Sequence, residues 1–495
     1  MGLFDIFRRT KNEAPTTEAK RQVDKQTQGR LLPWLGTSSR PSYRESTATL
    51  RHARDESRNL AQNNVYAKRG LQLLRQGVVG PSGIRLQVQA LNNAGKLDTV
   101  DSAAVERAWY TFSKKGNLTV CGRWSLTDVL GVIIESVCDR EGEILIRRHR
   151  GPHNKFGYAL QLIEPDHLDE NYNGELNNGN IIRAGIETNQ YGKPVAYHLF
   201  ESHPRDTTGG GKRVRVPADE IWHLYIPHRP TDLRGNPGLA SAAFRVGMLE
   251  SFEEAAVTAA RNAARRVEYL KQRHADGLDT DTDATTDAAK LVDDELGTMW
   301  LLPSDLDHSF TDPKHPTANY AEFVKAQLRG ISISTNNIYN DLAGDMEGVN
   351  YSALRHFRLQ QVDYYRTLQQ WLITDFLTPL FEEWLPLALL SGGITIPRPD
   401  ASEFPLPFKP QKYSRHKWIP RGYEWVDPQK QVTAEILAIK AGIKTLSDVL
   451  AEQGKDFDEH VARLAAEREV LAAAGISIEG ITDALLISTN TDANE

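Results

Sequence analysis

Apolar positions spaced three and four apart mark one long stretch near the middle of this chain. Leu354, Phe357, Tyr365, Leu368, Leu372 and Phe376 fall on a single helical stripe. Asn350 or Ser352 supplies an N-cap, and the pattern runs unbroken to Pro379. A helix of that extent is about 40 Å long. Arg355, Arg358 and Arg366 lie off the stripe. Ahead of it stands an acidic run, Asn340-Asp341-Leu342-Ala343-Gly344-Asp345-Met346-Glu347-Gly348, with two glycines and no proline. Such a run predicts a loosely held loop entering a core helix.

Elsewhere the periodicity changes several times. Residues up to about 43 show none and predict a mobile arm. Helical spacing covers roughly 50–74, where Gly77, Gly80 and Gly83 end it, then 103–113 and 125–137. Trp109, Trp124, Leu130 and Ile134 are the expected buried faces. From 142 to 226 the period drops to two, predicting strands at 143–149, 158–163, 181–187, 194–200 and 221–226. Asn173-Gly174, Asn178-Gly179 and Gly192-Lys193-Pro194 are the turns. An antiparallel region joined to helices makes the fold class α+β.

A second long helix begins near Pro237, with Leu239, Phe244, Leu249, Phe252 and Val257 assigned to one side. Ala255, Ala256, Ala259, Ala260, Ala263 and Ala264 permit close helix packing. Arg261, Arg265, Arg266, Lys271 and Arg273 make its end basic. Short apolar runs at 267–270 and 298–302 read as strands around an acidic loop, followed by a helix over 318–328. A proline-rich passage at 394–425 and modest helices from 428 onward complete the chain.

Composition narrows the function classes. A chain of 495 residues with 40% hydrophobic and 25% charged residues holds two to four structural units. The net charge of -6 announces no global attraction to nucleic acid, but its distribution is uneven. Residues 1–58 carry 12 Lys or Arg against 7 Asp or Glu, whereas 431–495 carry 5 against 12. Two cysteines, Cys121 and Cys138, without CxxC spacing, argue against a disulfide scaffold, a cysteine zinc site or a thiol redox centre. The start MGLFDIFRR is too short and charged for a signal peptide, and Ile6 breaks the myristoylation pattern. No apolar run reaches membrane-spanning length.

Candidate chemistry fails on inspection. Gly209-Gly210-Gly211-Lys212 resembles a phosphate loop, yet Asp206 and Arg213 occupy positions that need glycine and Ser or Thr. Asp279-Thr280-Asp281-Thr282-Asp283 alternates like a calcium loop, but Ala284 and Lys290 stand where Gly and Glu are required. His149 and His153 have ligand spacing for a helix, with Gly151 and Pro152 between them. Residues 408–423 mix Lys409, Lys412, Arg415, Lys417 and Arg421 with Phe408, Tyr413 and Trp418. That mixture fits single-strand stacking, and more commonly an extended segment clamped on a domain. No catalytic signature, metal site or cofactor motif is present in the sequence, and an enzyme is not expected.

The run NDLAGDMEGVNYSALRHFR resembles the hallmark segment of lambda-type bacteriophage portal proteins: an acidic loop, then Asn350-Tyr351-Ser352 and Arg355. VVGPSGIRLQ, LQLIEPDHLD, IRAGIETNQYGKPVAYHLF, VPADEIWHLYIPHRPTDLRGNPGLASA and WVDPQKQVTAEILAIKAGIKTLSDVLAEQGKD resemble the same family in the same order. The resemblance implies a ring, a dodecamer, at one capsid vertex. It divides the chain into a mobile arm (1–50), an α+β wing (51–235), a stem helix (236–266), a β-containing clip (267–302) and a second stem helix (303–335). A tunnel loop (336–350), a long helix returning to the wing (351–428) and a helical crown (429–495) follow. Implied partners are duplex DNA without sequence preference, the terminase large subunit, a head–tail adaptor, and the major capsid or scaffold protein. Assembly would take place in the host cytoplasm, with the product residing in the virion. Asn340, Asp341, Gly344, Asp345, Glu347, Gly348 and Asn350 would line the channel as the tunnel loop. The basic set from Arg261 to Arg273 would line it at the stem. A nuclease-like enzyme and a monomeric head–tail adaptor are the alternatives.

Overall fold

The computed structural model describes residues 42–92, 94–206, 211–264, 268–272, 306–310, 320–397, 403–423, 428–453 and 455–473. Contacts divide the chain into two units, one made of Met1–Ala240 with Val349–Glu495 and the other of Ser241–Gly348. Helix and antiparallel sheet are mixed, an α+β fold. Among the described residues no helix is long and apolar enough to cross a membrane.

The first unit opens with helices α1 (Ser42–Asn63) and α2 (Val65–Val78). Helix therefore begins earlier than the apolar spacing suggests. It is interrupted at Asn64, whose side chain accepts hydrogen bonds from the N–H groups of Tyr66 and Ala67 and so caps a new helix. Gly77, expected to end the helix, lies inside α2. Strand β1 (Arg85–Val88) and helices α3 (Thr99–Phe112) and α4 (Leu126–Ile134) follow, the last passing into a π-turn over Glu135–Arg140. Ser125 and Asp128 form a reciprocal capping box at the start of α4.

Strands β2 (Glu143–Arg150), β3 (Tyr158–Ile163), β4 (Gly174–Glu175), β5 (Ile181–Arg183), β6 (Ile186–Thr188), β7 (Pro194–Phe200), β8 (Arg213–Pro217) and β9 (Ile221–Tyr225) form two sheets, ordered β3-β2-β9 and β4-β5-β6-β7-β8. The single strand expected at 181–187 is two strands. Ala184 and Gly185, at φ of 50° and 81°, turn the chain between them. Alanine seldom adopts that conformation, so the turn left no residue signal at its first position.

The second unit contains most of α5 (Leu239–Ala264), the antiparallel pair β10 (Glu268–Gln272) and β11 (Leu306–Phe310), α6 (Tyr320–Ser334) and the short α7 (Tyr339–Ala343). The partner of β10 lies later than the strand expected at 298–302, which falls outside the described residues. The chain then returns to the first unit through α8 (Tyr351–Leu372), a π-turn (Ile373–Leu377) and α9 (Thr378–Leu390). Pro379 does not end the helix, because it falls in the first turn of α9. Strands β12 (Thr395–Pro397) and β13 (Glu403–Pro405), helix α10 (Pro410–Tyr413), strand β14 (His416–Ile419) and helices α11 (Pro428–Lys440), α12 (Leu446–Glu452) and α13 (Phe457–Ala473) finish the fold.

The main core joins distant parts of the sequence. Trp109 lies with ring centroids 5.1 Å from Trp384, 5.6 Å from Phe381 and 5.8 Å from Trp418. The same cluster holds Leu368, Leu372, Phe376 and Leu380 against α2, α3 and α4. Gly77 explains how close α8 comes, since a Cβ there would sit 2.2 Å from the Tyr365 ring. Gln369 donates to the Val78 carbonyl at 2.9 Å beside it. A smaller core of Leu145, Leu168, Ile186, Tyr197, Leu199, Val216 and Ile221 binds the two sheets.

Candidate functional site

The acidic run is more ordered than its composition suggests. Asn336, at φ of 50°, takes the left-handed conformation after α6, and Ile338 and Leu342 bury their side chains. Residues Tyr339–Ala343 form one helical stretch, closed by Gly344 in the left-handed region. Asp345 then gathers the turn. Its Oδ2 accepts from the Tyr339 hydroxyl at 2.8 Å, its Oδ1 from the Glu347 N–H at 3.0 Å, and its backbone carbonyl from the Asn340 amide at 2.6 Å. The expected loose loop is thus a short helix plus a hydrogen-bonded turn, because Asn340 and Asp345 supply local partners that the backbone alone lacks.

A cation reaches the run from α6. Lys325 Nζ stands 3.2 Å from Glu347 Oε2 and 3.5 Å from Asp345 Oδ2. The hydrogen bond from Lys325 to Glu347, and then the charges of Asp345 and Glu347, raise the lysine above its ordinary pKa. The Glu347 N–H and the Tyr339 hydroxyl hold Asp345 below the usual carboxylate range. Arg329 lies over the Tyr339 ring at 5.5 Å. Asp341 sits in the first turn of α7 and is half-buried. Asn350 caps α8, its side chain accepting from the Ser352 N–H at 3.0 Å.

Burial of the α8 stripe begins partway along the helix. Tyr365, Leu368, Leu372 and Phe376 are buried, but Leu354 is half-buried and Phe357 is 51% exposed. The expected stripe is therefore covered from Tyr365 to Phe376, Leu368 included, and not at Phe357. On α5, Leu239 and Leu249 are buried whereas Phe244 and Val257 are exposed, so these residues do not share one covered side as expected. Of the basic set, Arg261 is exposed in the last turn of α5 and Lys271 lies in β10. Arg265, Arg266 and Arg273 fall outside the described residues, as does the acidic stretch from Asp279 to Asp283.

The remaining candidates resolve into structural parts. Residues 408–423 are clamped: Lys412 pairs with Asp98 at 2.7 Å, Tyr413 is buried, and Trp418 donates to Thr378 Oγ1 at 3.0 Å from within β14. Their central rings face the core and leave little to stack on bases. Gly211 and Lys212 lie in the connection between the paired strands β7 and β8. The ring of His149, in β2, meets that of His153, beyond the strand's end, at 5.4 Å, and neither is on a helix. Glu164, Asp166 and His203 approach closely enough to hold a metal, but Asp166 is already neutralised by Arg58 and by Arg54 at 3.4 Å.

Sequence reasoning missed a buried charge cluster around Glu143, in the segment leading to α5. Arg234 Nε lies 2.8 Å from Glu143 Oε1, and the Gly235 N–H, His223 and Arg54 reach the same carboxylate at 3.0, 2.9 and 3.0 Å. A Cβ on Gly235 would fall 2.0 Å from the Gly142 carbonyl oxygen. The Leu233-Arg234-Gly235-Asn236-Pro237-Gly238 run is a packing joint. Its signal was an arginine amid turn residues, which alone says nothing of burial.

The sequence model described as phage portal protein, lambda family, matches residues 28–369, a span that includes Asn340–Asn350. The chain belongs to the lambda family of phage portal proteins. It is also 34% identical over 438 residues to the probable portal protein of Halomonas phage phiHAP-1, covering 86% of this chain and 82% of that one. Among solved structures, a chain from the neck of a native GTA particle computed with C12 symmetry aligns at 14% identity and a TM-score of 0.42, over 89% of this portal protein and 99% of that chain. A chain from the virion of a native gene transfer agent particle aligns at 14% identity and a TM-score of 0.43, over 85% and 96%. As a portal protein, the chain belongs to the conduit at a capsid vertex, and its family is structural rather than enzymatic.

Proposed function

We propose that this portal protein closes into a homo-oligomeric ring, a dodecamer, around duplex DNA that is packaged and later ejected. The observation that carries this reading is the double-sided apolar character of α5. Ala242, Ala243, Val246 and Leu249 are buried on one side, while Phe244 and Met248 on the other are 61% and 47% exposed. Exposed apolar side chains gathered on one helix side call for a partner, and a rotationally repeated copy supplies one per subunit. Phe357 and Leu359 on the first turns of α8 add to the uncovered surface.

In this reading residues 51–235 are the wing, α5 and α6 the stem, the β10–β11 pair part of the clip, and α11 to α13 the crown. Residues Asn340 to Asn350 face the channel. Duplex DNA must slide without being held, and each phosphate contact adds salt-dependent affinity, so a strongly basic wall would act as a brake. Arg261 and its neighbours steer phosphates without reading bases. ATP hydrolysis belongs to the terminase, and the adaptor and the capsid or scaffold protein bind the outer surface.

Native mass spectrometry and negative-stain microscopy test the ring. Wild type is expected to give closed rings with a central hole. Phe244→Glu together with Met248→Glu should shift it toward monomer, since both changes fall on exposed positions and cost the subunit little. Monomers alone at every wild-type concentration overturn the proposal.

A further inference from the structure

We propose that Lys325 closes a salt-sensitive catch on the 339–348 segment, released when a polyanion takes the lysine. The geometry separates a fixed part from a part free to move. Leu342 is buried and pins α7, whereas Gly344, Met346, Glu347 and Gly348 are exposed. Gly344 and Gly348 bracket that exposed part, both at φ of 67°, and a Cβ at either would meet no atom within 4 Å. Two unobstructed glycine hinges therefore flank three residues, Asp345 to Glu347.

What holds those three residues is mostly convergent on Asp345. The Tyr339 hydroxyl, the Asn340 amide and the Glu347 N–H are contacts within the segment itself. Lys325 is different in kind, because it belongs to α6 and spans both Asp345 and Glu347 with one ammonium. Losing it unties the turn from α6, and the hydrogen bonds within the segment then open more often.

Exposure sets the strength. An ion pair in water is weak and is screened as the Debye length falls from about 10 Å at 0.1 M salt to about 3 Å at 1 M. Such a pair biases a conformation without locking it. A phosphate that binds Lys325 removes the counter-charge of two carboxylates and repels both at once. The acidic turn then swings away on its hinges, so the incoming charge clears its own path. Arg329, occupied over Tyr339, and Asp341, on the pinned helix, are the neighbouring charges and stay with the fixed part. The channel reading enters here only in naming duplex DNA as the polyanion; the catch is a property of one subunit.

Hydrogen exchange of the full-length protein, read on a peptide covering 339–350, tests this at salt on the order of 0.05 M and 0.5 M. In wild type, exchange should rise about threefold at high salt, as expected for losing a weak exposed pair. Lys325→Met should show the faster rate already at low salt and no further response; Lys325→Arg should behave as wild type. A peptide covering 327–335 should stay unchanged in all three, which reports that α6 is folded. A short duplex DNA added at low salt should speed wild type and leave Lys325→Met unaffected. Salt-independent exchange in wild type, a salt response surviving in Lys325→Met, or no response to DNA would each overturn the proposal. A preparation that proves monomeric yet shows the full pattern sinks the ring and keeps the catch.

Discussion

Arg234 and Glu143 meet inside the first unit with neither side chain exposed, joined through Arg234 Nε at 2.8 Å from Oε1 and 3.0 Å from Oε2. Burial by itself would raise the Glu143 pKa, but the charge of Arg234 and the hydrogen bond from His223 outweigh it and hold the group well below the usual carboxylate range. Strand β2, the turn before α5 and helix α1 are all tied to this one carboxylate. Removing one partner strands the others. Glu143→Gln is therefore expected to cost roughly 3–5 kcal/mol, because it takes the counter-charge from the buried Arg234, while Arg54 keeps Asp166. Chemical denaturation at neutral pH reads this directly. The linkage has a definite sign: a depressed carboxylate stabilises above its unfolded pKa and stops doing so as pH falls through the folded one. The wild-type advantage over Glu143→Gln should hold at neutral pH and shrink only in strong acid.

Asp139 has the opposite linkage. It sits fully buried in the π-turn, and desolvation pushes its pKa up to about 7. The folded protein then binds a proton that the unfolded chain has already lost at intermediate pH. Stability from this group is greatest near pH 4, falls as pH rises towards 7, and levels off above. Asp139→Asn keeps a side-chain oxygen and removes the titration. The variant should gain on wild type between pH 5 and 7, by at most ~1.4 kcal/mol per pH unit. Urea midpoints measured across that range check it, and a constant difference between the two proteins would be the adverse result.

Gly77 tests the packing of α8 on α2. Alanine normally favours a helix interior over glycine by about 1 kcal/mol. Here the added methyl would meet the Tyr365 ring at 2.2, 2.4 and 2.7 Å, and that ring is buried. Overpacking of this kind costs about 1–3 kcal/mol, so the net sign is destabilising. Gly77→Ala should lower Tm, and Gly77→Ala with Tyr365→Leu should recover part of the loss. A Tm that rises in the single variant would mean the two helices separate easily.

The legible parts of this fold were those governed by local rules. The strands expected at 158–163 and 194–200 form with those bounds, set by the turn residues Gly157 and Gly192-Lys193 ahead of them. The Asn350 cap was readable because its hydrogen bond spans two residues. Relationships across long sequence separation were not. Nothing near Gly77 announces Tyr365, and nothing near Asp345 announces Lys325. The exposed Phe357 shows a different limit: a helical stripe marks what must be covered, not whether the same chain covers it. In the candidate site, likeness to a family pointed to Asn340 to Asn350, while the hydrogen bonds that order the segment and its pairing with Lys325 were visible only in the structure.

Charge on the 339–348 segment supplies the last prediction. Replacing Asp341, Asp345 and Glu347 together with lysine reverses six units of charge per subunit, counting two per residue. Repeated around a ring, this makes a dense cationic collar whose grip on phosphate falls steeply with salt. Rings should still assemble, since Glu347 is exposed, the Asp345 hydrogen bonds that are lost lie within the segment, and the α7 anchor at Leu342 is untouched. DNA packaging and ejection should fail at low salt and partly recover as salt rises. The same substitution also repels Lys325, so a defect alone would not say which effect causes it. Asp345→Asn with Glu347→Gln separates them: it frees Lys325 without creating a collar. If phosphate attraction is the brake, this neutral variant should package far better than the triple-lysine one. If the two are equally impaired and neither recovers with salt, the segment acts through its hold on α6 and not through contact with DNA. Normal packaging by well-formed triple-lysine rings at low salt would place the segment away from DNA altogether.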